Sequence, residues 1–335
     1  MNHVIKTFAL LLLLVSLADC EKNSGVKIKD DNFLNALIKA GVDIDGNGSI
    51  SYSEAEAVTL LDIRQSNISS LGGIEAFVNL DSLICRENSL PGLDASGNKD
   101  LRYLDCEYNR MSELLVSSNT ALKYLYCSAN QLTAIDVTNN PELLHLGCTA
   151  NKITGLNVSK NPELLFLSCS ANEITTIDVS KNISLLALLC SENKLTRLDI
   201  SINTVLVYLF CGSNGLTTLD ISKNYTLKRL YCENNLLSSL NALYNPILSE
   251  LSCQGNKIAS LTLPSNNYLT LLDCSGNLIQ GLDLSNNKKL VNIKLQNMPS
   301  LKKVCVWVFP FPPSGNSIVV NTEGSPNVYF ANDCL

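Results

Sequence analysis

Residues 164–184 read Leu164-Leu165-Phe166-Leu167-Ser168-Cys169-Ser170-Ala171-Asn172-Glu173-Ile174-Thr175-Thr176-Ile177-Asp178-Val179-Ser180-Lys181-Asn182-Ile183-Ser184, and this frame decides the fold. It recurs on both sides. Cysteine returns every 21 residues, at Cys85, Cys106, Cys127, Cys148, Cys169, Cys190, Cys211, Cys232, Cys253 and Cys274. Leucine stands two and five residues before each of them, and asparagine three residues after. Ten residues further on runs a second asparagine series, from Asn98 to Asn287. The unit is L-x-x-L-x-C-x-x-N-x-[LIM]-x-x-[LI]-D-[VI]-S-x-N-x-x. A fixed period of this length means a repeat array, so the 335 residues are not to be divided into ordinary globular domains.

The alternation Leu-x-Cys describes a short strand with one face buried, and copies in register hydrogen-bond into a parallel sheet on the concave side. Two asparagine series imply two sharp corners per coil, where the side-chain amide satisfies backbone groups that a buried bend would orphan. Twenty-one residues leave no room for a full helix on the outer side, which is expected to be extended or a single 3-10 turn. The cysteine series is expected to be reduced core filler. Equivalent residues on neighbouring parallel strands lie about 4.8 Å apart and point the same way, which does not suit a disulfide. A row of sulfurs also does not form a tetrahedral metal site.

The pattern resembles the leucine-rich repeat and, with cysteine in the repeat and a signal sequence ahead of it, the internalin J-like cysteine-ladder surface proteins and the leucine-rich lipoproteins of gut Bacteroidetes. The resemblance covers residues 61–300. It implies a leucine-rich-repeat solenoid that adheres to a macromolecule through its concave face. The chain departs from that family in carrying no C-terminal sorting motif, whose place an anchor at Cys20 would take, and in a distinct N-terminal cap.

Composition agrees with a large aliphatic core: 46% hydrophobic, 6% aromatic and 17% charged. The net charge of −6 disfavours a nucleic-acid partner or an anionic lipid surface. Residues 1–19 read as a signal peptide, with a basic start and an apolar run from Phe8 to Leu17 too short to span a bilayer. Leu17-Ala18-Asp19-Cys20 resembles a lipobox that would lipidate Cys20, with residues 20–27 as tether; ordinary cleavage after Ala18 is the alternative. The protein is therefore expected to be exported, either as a lipoprotein of a bacterial outer membrane or cell surface, its only membrane attachment being the lipid, or as a soluble secreted monomer. In an oxidising compartment Cys305 and Cys334, within a β-rich terminal cap (301–335), are expected to pair. The bridge would close a loop of about 30 residues and contribute about 3 kcal/mol; the alternative is two free thiols.

Residues 28–60 form the N-terminal cap. Asp43-Ile44-Asp45-Gly46-Asn47-Gly48-Ser49-Ile50-Ser51-Tyr52-Ser53-Glu54 fits D-x-[DN]-x-[DN]-G-x-[ILV]-x-x-x-E and resembles an EF-hand loop. Asp43, Asp45, Asn47, the Ser49 carbonyl and Glu54 offer the hard oxygens that calcium prefers, with Ser51 reaching it through water. Flanking helices are expected from Asp31 to Gly41 and from Ser53 to Leu61, with Ser53 as N-cap. Calcium in this cap would be structural.

Residues next to the buried Leu and Cys should face outward from the strands. They include Tyr103, Tyr124, Tyr126, His145, Phe166, Tyr208, Phe210 and Tyr231, with charges at both ends of the row: Arg86, Asp105 and Glu107, then Arg229, Glu233 and Glu250. Aromatics exposed on a rigid sheet suit an extracellular protein or a glycan partner, although cross-strand stacking would also account for them. An adhesin-like role is expected; a scaffold subunit of an outer-membrane uptake complex is the second reading. Catalysis is not expected, since His145 is the one histidine beyond the signal segment and Cys148 should point away from it.

Overall fold

The computed structural model describes residues 25–333. Those residues divide between two compact units, the first ending at Glu142 and the second beginning at Leu143. Both are solenoid stretches in which each coil contributes one three-residue strand to a parallel sheet. In the first unit the strands Leu60–Asp62, Ser82–Ile84, Tyr103–Asp105 and Tyr124–Tyr126 pair in register, bringing Leu61, Leu83, Leu104 and Leu125 into one row. In the second unit the sheet runs from His145–Gly147 through Phe166–Ser168, Ala187–Leu189, Tyr208–Phe210 and Arg229–Tyr231 to Glu250–Ser252 and onward to Val319–Asn321.

The frame explains the packing. Leu164, Leu167, Cys169, Ile174 and Val179 are all buried, as are their counterparts one coil on, Leu185, Leu188, Cys190, Leu195 and Ile200. Each buried leucine contributes about 1.5–3 kcal/mol over an exposed one. The ten ladder cysteines are buried, and none of them is joined in a disulfide. The outer side is mostly extended, as expected, with one 3-10 turn at Ile74–Ala76. In several coils it also pairs: Gly92–Asp94 with Glu113–Leu115 in the first unit, and in the second Ser239–Asn241 with Ser260–Thr262. Each of these short strands is centred on a leucine, of which Leu93, Leu114 and Leu240 are buried in the core.

The first corner is built as the asparagine series implies. Asn193 Nδ2 donates to the carbonyls of Cys169 (3.0 Å) and Cys190 (3.2 Å), and its Oδ1 accepts from Ile174 N–H (3.0 Å). One amide thus joins two coils. The residue before each such asparagine has positive φ, from Glu87 (55°) through Ala171 (51°) to Gly276 (65°). In the second series Asn203 donates to Val179 (3.1 Å) and Asn182 (2.8 Å) carbonyls, while its Oδ1 is buried with no hydrogen-bond partner.

At the N-terminal end the helix Asp31–Lys39 is capped by Asp30, which accepts from Phe33 N–H (2.9 Å) and, through its other oxygen, from Ser69 and Ser70 N–H (2.8 and 3.0 Å). Phe33 and Leu37 are fully buried. The second helix differs from expectation: it spans Tyr52–Glu56, with Ser51 rather than Ser53 as N-cap. Ser51 and Glu54 form a reciprocal capping box that satisfies two orphan backbone groups together, and Leu60–Asp62 is drawn into the first strand of the sheet. Gly25 and Val26, placed in the tether by sequence, pair with the segment between the two helices through a bridge to Ser51 and a 2.7 Å bond to the Ile50 carbonyl.

At the other end Gly281–Asp283, Lys303–Cys305 and Tyr329–Ala331 form a separate three-stranded outer sheet, and Val319–Asn321 extends the inner sheet. Trp307, Phe311 and Phe330 pack together there, with ring centroids 5.1 and 5.2 Å apart. Cys305 is disulfide-bonded; Cys334, its expected partner, lies outside the described residues, as do the expected signal segment and Cys20. Among the described residues no helix is long and apolar enough to cross a membrane.

Candidate ligand face and metal loop

The loop after the first helix gathers its carboxylates. One oxygen each of Asp43, Asp45 and Glu54 lie within 4.8 Å of one another. The backbone imposes this: Asp43 Oδ1 accepts from Gly46 and Asn47 N–H (2.9 and 3.1 Å) and Oδ2 from Gly48 N–H (3.0 Å), while Gly46 and Gly48 take φ of 72° and 81°. Side chains with a β-carbon rarely adopt such φ. Asn47 Oδ1 accepts from Ser49 N–H (2.8 Å). Glu54 is buried, and its carboxylate accepts from Ser51 N–H and Ser51 Oγ (both 2.8 Å) and from Ile44 N–H (2.8 Å). The Ser51 amide leads these donors in holding the Glu54 carboxyl below the usual carboxylate range. Ser51, expected to reach a metal through water, is engaged in this cap.

On the strand face of the first unit, Tyr103 lies 6.1 Å from Tyr124 and 5.7 Å from Tyr126, both tilted. Register makes the contact: Tyr103 and Tyr124 are paired residues on adjacent strands. Asp105 beside them is buried rather than exposed, at 6%, and burial pushes its carboxyl upward; Arg86 Nε stands 3.8 Å away.

On the strand face of the second unit, His145 stacks on Phe166 at 5.6 Å, and burial holds its imidazole below the usual histidine range. Cys148 lies buried in the core, separate from that face. Phe210 and Tyr231 stack closely, 4.5 Å apart and 10° from parallel. Arg229 sits over the Tyr208 ring at 5.7 Å, its Nε 3.0 Å from Glu250 Oε1, and Tyr231 Oη donates to Glu250 Oε2. Glu233 lies back across Gly212, occupying the space a side chain there would fill.

Two expectations need correction. The aromatics are mostly half-buried by one another; of those singled out only Tyr208, at 37%, is exposed. Five of the positions beside the inward-facing leucines and cysteines, where the alternation predicts an outward side chain, are buried: Asp105, Gly147, Ala187, Gly212 and Asp273. Sequence reasoning treated Glu233 as a flanking charge and missed its seat. The available signal was Gly212, standing where other coils carry Ser170, Ser191 and Ser275.

Coils of 21 residues, a parallel inner sheet, an asparagine corner and an extended outer side together define a leucine-rich-repeat protein. No protein-family model and no curated protein matches the chain. Among solved structures, the functional domain of InlJ from Listeria monocytogenes, which includes a cysteine ladder, is 31% identical, with a TM-score of 0.63 over 82% of this chain and 74% of that one. The chain belongs to this cysteine-ladder leucine-rich-repeat family. The internalin inlF of L. monocytogenes is similar at 19% identity, with a TM-score of 0.72 over 91% of this chain and 96% of that one. A plant peptide hormone receptor, RGFR1 in complex with RGF2, is similar at 20% identity, with a TM-score of 0.57 over 70% of this chain and 48% of that one.

Proposed function

We propose that the chain is an exported, adhesin-like protein that holds an extracellular protein against the strand face of its repeats, with Cys20 as its lipid anchor. The observation that carries the reading is the set of aromatic side chains held in register by main-chain ladders: Tyr103, Tyr124 and Tyr126 in the first unit, Phe166, Tyr208, Phe210 and Tyr231 in the second. Such side chains supply large contact area with little entropy left to lose, which is the character of protein hot spots. The likeness to a receptor solved with RGF2 supports the choice of a protein partner, since the same fold accommodates one there.

The test is capture of extracellular proteins by the immobilised chain, by Tyr126→Ala and Phe210→Ala variants, and by Thr176→Ala on the exposed outer side. Capture should fall about ten-fold in one or both strand-face variants, the loss of one hot-spot aromatic, and stay level in Thr176→Ala. Undiminished capture by both strand-face variants would overturn the reading. Loss of binding to a glycan array in the same variants would transfer it to a sugar ligand.

Within this function the loop Asp43–Glu54 binds calcium as a structural staple of the N-terminal cap. The donor set fits: Asp43, Asp45 and Glu54 carboxylates converge within 4.8 Å, and Asn47 and the Ser49 carbonyl complete an oxygen set of the kind calcium takes. When bound, calcium supplies positive charge that offsets repulsion among the three carboxylates. The chain's own residues do the rest, Gly46 and Gly48 allowing the turn and Ser51 orienting Glu54.

A further inference from the structure

Three carboxylates share one stretch of strand face in the second unit, and two are already neutralised. Glu250 is held by Arg229 and Tyr231, and Asp273 lies 3.4 Å from Lys294 Nζ. Glu233 makes no ion pair among the described residues, and its Oε2 is buried with no hydrogen-bond partner. A desolvated carboxylate without a counter-charge is costly, so such a group is retained where something else supplies the charge. Burial pushes the Glu233 carboxyl upward, against the lowering effect of its own backbone amide and the Ser252 hydroxyl, and the nearby Asp273 charge adds to the rise.

The neighbourhood indicates what that charge is carried on. Glu233 follows the strand Arg229–Tyr231 by two residues, with Cys232 between them buried, so the alternation turns Tyr231 and Glu233 to the same side, about 7 Å apart along the chain. Phe210 stacks on Tyr231, and the Glu233 charge is near enough to act on the Tyr231 hydroxyl, which sets the ring pair beside the carboxylate. Next to it the protein shows the combination complete within itself: the Arg229 guanidinium over the Tyr208 ring with its Nε on Glu250. Gly212 is the enabling residue, because any β-carbon there would lie 2.3 Å from Glu233 Oε1.

We infer that Phe210, Tyr231 and Glu233 form a seat for a long basic side chain of a protein partner, its aliphatic stem along the ring pair and its cationic head on the Glu233 carboxylate. Charge complementarity and the ring pair select arginine or lysine: a neutral side chain leaves Glu233 uncompensated, and an acidic one is repelled. This rests on the strand-face reading above and specifies its partner's chemistry.

The probe is N-acetyl-arginine N′-methylamide, with the citrulline analogue as its uncharged isostere, titrated into the full chain carrying 13C-labelled Phe and Tyr rings and Glu carboxyls. The arginine probe should shift the Phe210, Tyr231 and Glu233 signals saturably and the citrulline probe should not. Glu233→Gln should weaken the apparent affinity about five-fold, the worth of one ion pair. Gly212→Ala, which displaces the carboxylate without removing it, should do the same, and Glu173→Gln should not. If Gly212→Ala fails to fold, the near-isosteric Glu233→Gln decides. Equal shifts with both probes, no shifts with either, or arginine binding indifferent to Glu233→Gln would overturn the proposal. Capture of a partner that Phe210→Ala abolishes and Glu233→Gln leaves intact would overturn the basic-side-chain seat while the strand-face reading stands.

Discussion

Each coil turns on the amide of one asparagine, and the two asparagine positions are not equivalent. Asn193 donates to Cys169 and Cys190 and accepts from Ile174, whereas Asn203 donates twice and leaves Oδ1 without a partner. Removing a partner from a buried polar group costs about 1–3 kcal/mol. Asn193→Ala should therefore cost about 3–5 kcal/mol in urea denaturation and Asn203→Ala about 2 kcal/mol, since deleting Asn203 also removes an unpartnered oxygen. Equal losses would show that the donors alone matter. The ladder thiols give a pH prediction. Burial raises Cys127 and Cys169 to about 12, against about 8.5 for an unfolded thiol. The native state thus keeps protons that the unfolded chain releases, so the thiols' contribution is fully present below about pH 8.5 and is lost as pH rises toward the folded value. Each contributes a slope of about 1.4 kcal/mol per pH unit in that window. Urea midpoints at pH 7.5 and 9.5 should differ accordingly, less so after Cys127→Ala and Cys169→Ala; identical midpoints would mean the thiols are not desolvated. The residue scale also shows what the motif conceals: Ala171 and Glu192 take left-handed φ, at a cost of about 1–2 kcal/mol each, which Gly255 and Gly276, and in part Asn234, relieve by composition.

At the scale of elements, the Leu-x-Cys alternation predicted the inner strands because a period of two is imposed by the pleat. The outer ladders were not legible, since the same leucine-centred segment pairs in some coils, as at Ser239–Asn241 and Ser260–Thr262, and not in others. The second helix shows a similar limit: both Ser51 and Ser53 are capable caps, and the Glu54 side chain folding back to the Ser51 amide decides between them. The EF-hand-like residues were readable from spacing, and the structure brings three carboxylates together. Millimolar calcium should raise the melting temperature of the full chain, by calorimetry against chelator, and Glu54→Gln should abolish the rise. Glu54 caps a helix as well, so Asp45→Asn, which leaves the cap intact, is the companion variant. An unchanged melting temperature in the wild-type chain would mean that the loop is empty or irrelevant.

For the whole molecule, a repeat array predicts tolerance of change in units of one coil. Excising residues 170–190, 21 in number, joins Cys169 to Ser191 in the same phase. The product should fold cooperatively, with a modest loss of stability from one missing interface. Excising 170–189 shifts the alternation by one residue, so that outward side chains turn into the core, and should yield an unfolded or aggregated chain by circular dichroism. Comparable stability of the two would refute the role given to register. The period, the identity of the buried row and the corner residues were determined by sequence, because each coil meets only its own copies and a local pattern is then also the contact pattern. Tertiary structure decided which outward residues remain open and which close over one another: Asp105 buried, Tyr208 exposed, Glu233 laid across Gly212. Those outcomes depend on the sizes of side chains 21 residues away, stacked on the neighbouring strand, and on where their carboxylates find a counter-charge.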